Sequence, residues 1–204
     1  MPIFLHSDTN WVDLITAFGP IAVALVTIVG SQFMNNKAIR ANVVSKERAR
    51  WLENHKSTLA EFLSIVNKIK RASNINATII VNPGSIPKAN EIYKKNNEKI
   101  MEAQEDLFFL KEKLVLEYSA NIENDKFTEK IDKVVNEVKE FQSKNTKIEL
   151  DTKKAIKIGE DLEEYKKELK DGDHQINLNE SLENLRDFAR TYYNKVWIEI
   201  KRHK

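Results

Sequence analysis

The stretch Leu14–Asn36, LITAFGPIAVALVTIVGSQFMNN, contains 23 residues without a single Asp, Glu, Lys or Arg. A helix of this length covers about 35 Å at about 1.5 Å per residue, and the hydrocarbon core of a bilayer is about 30 Å thick. The sequence therefore predicts one membrane-spanning helix. We expect residues 1–36 to form a short outer segment and this span, and residues 37–204 to form a cytoplasmic domain.

The charges around this stretch predict its direction. Residues 1–10 contain no Lys or Arg, so the positively charged start of a cleavable signal peptide is absent and the span should be retained. On the other side, the basic residues are Lys37, Arg40, Lys46, Arg48 and Arg50, opposed only by Glu47. Positive charge favours the cytoplasmic side of a membrane. We therefore expect the amino terminus outside and the carboxyl-terminal part in the cytoplasm.

At 100° per residue the predicted span has one small, polar face and one large, apolar face. The small face carries Asp13, Thr16, Ala17, Pro20, Ala24, Thr27, Ser31 and Asn35. Small and hydroxyl-bearing residues let helices approach closely and hydrogen-bond to one another. The same face in a ring of helices would line a water-filled pore, with Asp13 as an acidic ring that favours cations. Both interpretations predict a homo-oligomer in the membrane, and the sequence leaves them open.

The remainder of the chain has the composition of long, solvated helices. Charged residues make up 31% of the chain, and there are only five Gly and four Pro. The first helix should continue to the breaker at Asn82–Ser85, with an apolar stripe at spacings of three and four. This stripe consists of Leu52, His55, Leu59, Phe62, Val66 and Ile69. A second helix should run from Pro87 to about Ser119.

The same alternating spacing continues from Phe127 to Leu169 and predicts a single coiled-coil-like helix. A break near Ser143–Lys147 is the competing interpretation. A stop at Asp171–Asp173 and a last helix from about Asn179 complete the chain. The predicted fold class is all-α, with one amino-terminal transmembrane helix followed by a cytoplasmic domain of long antiparallel or coiled-coil-like helices.

No catalytic motif is recognisable in the sequence. The glycines stand alone, there is no cysteine, and the four histidines are scattered, so phosphate loops, thiolate sites and paired-histidine metal sites are not predicted. We expect no enzymatic activity, no cofactor and no metal site.

Basic and aromatic residues alternate near the carboxyl terminus. They are Arg186, Arg190, Tyr193, Lys195, Trp197, Lys201 and Arg202. Aromatic rings with nearby cations are the side chains that bind single-stranded nucleic acid, through stacking and phosphate contacts. These residues are candidates for binding a nucleotide ligand. The alternative is that the rings pack in the core while the bases face solvent or anionic lipid.

Several short motifs occur in a fixed order after the predicted span. They are Arg48–Leu52 (RARWL), the group Leu59, Phe62 and Leu63, the group Leu107, Leu110 and Leu114, and Tyr192–Trp197 (YYNKVW) followed by Lys201. This layout resembles small bacterial single-pass helical membrane proteins, and within them it is similar to the membrane effectors of Hailong-type anti-phage defence. The resemblance implies the bacterial inner membrane and a tetrameric ion channel. It also implies that an oligonucleotide, made by a partner nucleotidyltransferase, holds the channel shut.

The sequence and this resemblance together predict a homo-oligomeric membrane effector. It should form a gated ion-conducting pore, act in anti-phage defence and be controlled through its cytoplasmic helical domain. The alternative is a membrane-tethered helical adaptor that binds a cytoplasmic partner without conducting ions.

Overall fold

The computed structural model describes residues 11–82, 88–116 and 122–202, and every regular element in these ranges is an α-helix. The helices are α1 (Trp11–Val81), α2 (Ala89–Leu116), α3 (Ile122–Ile158), α4 (Glu163–Asp171) and α5 (Asp173–Arg202). Only the backbone is described for residues 11–22, 25, 36, 40 and 122. The all-α prediction is confirmed. Residues 83–85 of the predicted breaker lie outside the described residues, as do Pro87 and Ser119, the predicted ends of the second helix.

The chain divides into two compact units. One contains Met1–Ala49 and Glu199–Lys204, and we call it the terminal unit; the other contains Arg50–Ile198, and we call it the bundle unit. The predicted domain boundary after residue 36 stays a prediction.

Neighbouring helices of the bundle unit run antiparallel. Between α1 and α5, His55 contacts Tyr193 and Asn74 contacts Gln175, so residue numbers rise along one helix while they fall along the other. The equivalent pairs are Tyr93 with Glu149 and Lys111 with Asp132 between α2 and α3, and Asn124 with Tyr192 and Asn145 with His174 between α3 and α5. Four helices thus alternate in direction around one core.

Apolar side chains at helical spacing fill this core, and burying each one stabilises the fold by about 1.5–3 kcal/mol. The predicted stripe on α1 is buried in full, including His55. On α3, every predicted position from Phe127 to Ala155 is buried, polar Asn145 and Thr152 among them. The core therefore follows the periodicity of the sequence as far as Ala155.

Beyond Ala155 the predicted single helix to Leu169 is wrong. The third helix ends at Ile158, and Gly159 adopts a φ of 74°. This left-handed conformation is favourable for glycine and terminates helices. The Glu160 N–H then donates to the Ala155 carbonyl oxygen at 3.0 Å. The competing break near Ser143–Lys147 is also wrong, because α3 continues through it.

The last helix begins six residues earlier than predicted, at Asp173 instead of Asn179. Its first turn buries His174 and Gln175, which hydrogen-bond to polar groups of α1 and α3. The spacing of apolar residues does not predict this turn, because its buried side chains are polar and hydrogen bonds hold them in the core.

Candidate functional site

The predicted pore or packing face falls on α1. Ala24, Thr27, Ser31 and Asn35 are exposed, whereas the side chains of Asp13, Thr16, Ala17 and Pro20 lie outside the described residues. The Thr27 hydroxyl donates to the Val23 carbonyl oxygen at 2.8 Å, and the Ser31 hydroxyl donates to the Ile28 carbonyl oxygen at 2.9 Å. Both hydroxyl protons are therefore satisfied within the helix, and each oxygen keeps acceptor capacity towards its surroundings.

The same segment of α1 exposes many large apolar side chains. They are Val23, Val26, Ile28, Val29, Phe33, Met34, Ile39, Val43 and Val44, with Val26 at 74% exposure and Val44 at 49%. Large exposed apolar surfaces are unfavourable in water and are typical of sites that bind lipid or protein. We call residues 23–44 the exposed apolar segment. In the part of the chain whose side chains the structure describes, no helix is long and apolar enough to cross a bilayer.

The structure divides the carboxyl-terminal candidate ligand residues between different environments. Tyr193 is buried, Arg186 is exposed, and Trp197 is 38% exposed. Exposed Lys195 forms an ion pair with Glu123, and exposed Arg190 pairs with Asp187 at 3.4 Å. Lys201 and Arg202, both exposed, belong to the terminal unit. Within the bundle unit, α5 therefore presents exposed bases beside a tyrosine that packs into the core.

His55 lies at the centre of an aromatic cluster in the bundle unit. Its Nδ1 shares a hydrogen bond of 2.6 Å with the Tyr193 hydroxyl. The rings of Trp51, Phe127 and Tyr193 surround it, with centroids 5.2, 5.4 and 5.6 Å away. Burial lowers the pKa of His55 from 6.5 to about 4, although the backbone of Leu114 favours the protonated form. His55 is therefore a neutral packing residue at physiological pH.

A cluster of polar side chains connects α1, α3 and α5. Asn145 Nδ2 donates to Asn74 Oδ1 at 3.2 Å, and Gln175 Nε2 donates to the same oxygen at 2.8 Å. His174 Nε2 lies 3.0 Å from Asn145 Oδ1. Burial is the main cause of the lowered pKa of His174, so the ring favours its neutral form. The cluster satisfies buried polar groups and fixes the start of α5 against its neighbours.

Tyr93 and Glu149 form a part-buried tyrosine–carboxylate pair, in which the Tyr93 hydroxyl donates to Glu149 Oε2 at 2.8 Å. Burial raises the pKa of both groups. Lys153, 5.6 Å from the centre of the Tyr93 ring, opposes the shift at Glu149. The pair joins α2 to α3.

Three adjoining hollows lie along the outer side of α1 in the bundle unit. The α1–α2 hollow has a volume of 540 Å³ and is lined by Lys68, Arg71 and Lys99 together with Asn96. The α1 hollow, of 650 Å³, is lined by Lys70, Arg71 and Asn74, and the α1–α4 hollow, of 240 Å³, by Asn74, Lys166 and Lys170. Among the described residues, six cations and no carboxylate line the three hollows.

Reasoning from the sequence did not identify these hollows. The spacing of Lys68 and Arg71 places both on one side of α1, and this shared side is the feature of the sequence that indicates a local concentration of positive charge. Lys99 comes from α2 and Lys170 from α4, so the convergence of charge depends on tertiary packing.

Among the described residues, no group of three or more His, Asp or Glu side chains is arranged to hold a metal ion. Comparisons with protein-family models, with curated proteins and with solved structures found no match.

Proposed function

We propose that this protein is a homo-oligomeric membrane effector whose spans surround a gated ion pathway. The exposed apolar segment of α1 is the observation that carries the proposal. It overlaps the uncharged stretch Leu14–Asn36, and together they supply a surface that lipid would cover. The basic residues that follow favour an outer amino terminus and a cytoplasmic bundle unit.

The small face of α1 is suited to the interior of such an assembly. Ala24, Thr27 and Ser31 allow neighbouring backbones to approach closely. Because the Thr27 and Ser31 hydroxyls donate within their own helix, their oxygens are oriented as acceptors for water or a cation. Ions would therefore meet a ring of oxygen acceptors on this face. The large apolar side chains Val26 and Val29 would face lipid.

The test is membrane depolarisation in cells that express the protein. Thr27→Leu with Ser31→Leu replaces the hydroxyls by large apolar side chains and should abolish depolarisation while the protein still reaches the membrane. Val26→Leu with Val29→Leu, on the opposite side of the helix, is the matched control and should depolarise like the wild type. Undiminished depolarisation by the Thr27 and Ser31 variant would rule out a pathway along this face.

A membrane-tethered adaptor is the second candidate, favoured by the same two hydrogen bonds. Since the helix satisfies both hydroxyl protons itself, the small face needs no water and could pack dry against a neighbour. Replacing Leu14–Asn36 by an unrelated apolar helix separates the candidates. An adaptor keeps its partner binding and cellular effect after the exchange, whereas a pore-forming effector loses its effect.

The role in anti-phage defence, the tetramer and control by an oligonucleotide from a partner nucleotidyltransferase come from the resemblance, and they are part of this proposal. Native mass spectrometry in detergent measures the subunit number. A plaque assay that compares the wild type with the Thr27 and Ser31 variant measures protection against phage. Equal plaque numbers with both would exclude a defensive role for the pore.

A further inference from the structure

The outward side of α2 carries large apolar side chains between carboxylates. At 100° per residue, one arc of about 100° contains the exposed residues Met101, Phe108, Phe109, Leu116, Glu98, Glu105 and Glu112. We call these residues the outer face of α2. The buried positions Ala103, Leu107, Leu110 and Leu114 lie on the opposite side of the helix. The outer face therefore takes no part in the core of its own bundle unit.

Most of the outer face is uncovered. Phe109 is 69% exposed, whereas Phe108 is partly covered by Lys139, whose ammonium group lies 5.2 Å from the centre of the ring. Glu98 and Glu105 form no ion pair within the described part of the chain. Exposed apolar surface that is bordered by charged groups is typical of protein-binding sites.

The arrangement of the helices explains why the chain leaves this face uncovered. α1 and α3 contact each other, since the rings of His55 and Phe127 are 5.4 Å apart and Asn145 donates to Asn74 at 3.2 Å. Two helices in contact leave one groove on each side. Both α2 and α5 pack on α1 and on α3, so α2 fills one groove and α5 fills the other. The outer face of α2 therefore points away from the rest of the bundle unit.

The α1–α2 hollow is complementary to the outer face of α2 in charge. Lys68, Arg71 and Lys99 line it together with the apolar side chains of Ala72 and Ile75, and no described carboxylate does. An apolar surface with carboxylates thus has a counterpart in an apolar hollow with cations. Every copy of the chain carries both surfaces.

The two surfaces also lie at the same level along the bundle. α1 and α2 are antiparallel, and Asn76 of α1 donates to Asn97 of α2 at 2.7 Å. Counted from this pair, residues 101–109 are level with residues 64–72, which line most of the hollow. Two copies that stand side by side, related by a rotation about an axis parallel to the helices, can therefore bring these surfaces together.

We propose that the outer face of α2 in one copy docks into the α1–α2 hollow of a second copy. Phe109 is the apolar anchor of this contact, and Glu105, which is level with Lys68, pairs with Lys68 of the second copy. Because the two surfaces differ, the contact is head-to-tail and repeats from copy to copy until a ring closes. This contact rests on the proposed function for holding the copies side by side in one membrane, and it names the surfaces through which their bundle units meet.

Cysteine cross-linking between two differently tagged copies of the full chain tests the contact. The chain contains no cysteine, so each copy carries only the introduced one. Glu105→Cys co-expressed with Lys68→Cys should give dimers that carry both tags after treatment of the membranes with a short bifunctional maleimide. Each variant expressed alone should stay monomeric, because a head-to-tail contact keeps identical positions apart.

Glu183→Cys co-expressed with Lys68→Cys is the matched control. Glu183 is an exposed carboxylate on α5, on the other side of the bundle unit, and this pair should not cross-link. Three results would overturn the contact. They are the absence of mixed dimers, equal cross-linking in the control pair, and dimers of Glu105→Cys alone, which would indicate that two α2 faces pair with each other.

The apolar anchor is tested by dilution of the full chain in detergent, followed by native mass spectrometry. Large aromatic side chains at the centre of an interface supply much of its affinity, so Phe109→Ala should raise the concentration at which the oligomer dissociates about tenfold or more. Ile176→Ala removes an exposed apolar side chain from α5 and should dissociate like the wild type. Wild-type dissociation of Phe109→Ala, or equal weakening in both variants, would contradict the anchor.

Membrane depolarisation separates this contact from the proposed function. Depolarisation without mixed dimers of the Glu105 and Lys68 variants would contradict the contact and leave the pore in place. Mixed dimers without depolarisation by the wild type would contradict the pore and support the contact.

Discussion

At the residue scale, His55 links the packing of the core to pH. An imidazole that is fully buried among aromatic rings resists protonation, so its pKa falls to about 4 in the folded protein, compared with 6.5 in the unfolded chain. Well above pH 6.5 the ring is neutral in both states and its titration has no effect on stability. Between pH 6.5 and 4 the unfolded chain takes up a proton that the folded protein does not, so stability is lost as the pH falls.

This difference predicts an acid-dependent loss of about 3 kcal/mol from His55 between pH 6.5 and pH 4. His55→Gln should reduce the slope of unfolding free energy against pH in this range. Urea unfolding of the full chain in detergent, followed by the fluorescence of neighbouring Trp51, provides the measurement. Tyr193→Phe is the control, because it removes the hydrogen bond to His55 but keeps the titrating ring. A wild-type slope in His55→Gln would contradict the assignment.

Glu149 acts in the opposite direction. Its raised pKa means that the folded protein binds a proton more readily than the unfolded chain does, so this group adds stability as the pH falls through its folded pKa. The pKa of His174 is lowered in the folded protein, so this group, like His55, reduces the stability as the pH falls. The net slope of the wild type therefore contains all three groups, and only the difference between variants isolates His55.

At the element scale, two glycines delimit the helices around α4 for different physical reasons. Gly159 has a φ of 74°, and a Cβ there would meet nothing within 4 Å, so only the backbone conformation excludes other residues. Gly172 has an ordinary φ of −66°, but a Cβ would collide with the Glu168 carbonyl oxygen and approach the His174 ring within 2.7 Å. Substitution of Gly159 is therefore disfavoured by its backbone conformation, and substitution of Gly172 by a steric clash.

These differences predict an order of stability. Gly159→Ala should cost about 1 kcal/mol for the left-handed conformation. Gly172→Ala should cost more, about 2–3 kcal/mol, because the backbone of α4 or the buried His174 must move. Urea unfolding of the two full-length variants measures both changes. Equal or reversed losses would show that the connection around α4 relaxes freely.

Sequence periodicity predicted the helices where buried side chains recur every three or four residues. The stripe on α1 and the α3 positions up to Ala155 follow that rule. It failed at Gly159, which occupies a position in phase with the stripe but takes a φ that ends the helix. It also failed at His174, because a polar contact with Asn145 buries that turn. Neither a backbone conformation nor a buried polar network is encoded in hydrophobic spacing.

A candidate site could be predicted from the sequence when it lies on one helix, but not when it is formed by residues of several helices. The small face of α1 is a property of one helix, so its spacing places Thr27, Ser31 and Asn35 together. The α1–α2 hollow is lined by Arg71 of α1 and by Lys99 of α2, and only the tertiary packing of the two helices brings these residues together. Tyr193, a candidate for stacking on a ligand, is buried against His55 because α1 and α5 are antiparallel neighbours.

At the scale of the whole molecule, the proposed function predicts that other molecules cover the exposed apolar segment. Lipid would suit Val26 and Val29, but the small face with Ser31 and Asn35 is suited to other copies of the chain. Since the protein contains no cysteine, a single introduced cysteine reports on its own position without background. This property allows a direct test of which face of α1 meets another copy.

Ser31→Cys should form disulfide-linked dimers under mild oxidation in membranes, because copies that share this face bring residue 31 close to its equivalents. Val29→Cys lies about 160° away on the helix and should stay monomeric on a non-reducing gel. A membrane-impermeant thiol reagent then distinguishes a wet face from a dry one, since only a cysteine in contact with water reacts quickly. Cross-linking of Val29→Cys as efficient as that of Ser31→Cys would place the contact between copies elsewhere. Absence of cross-linking in both would contradict an assembly built on the small face.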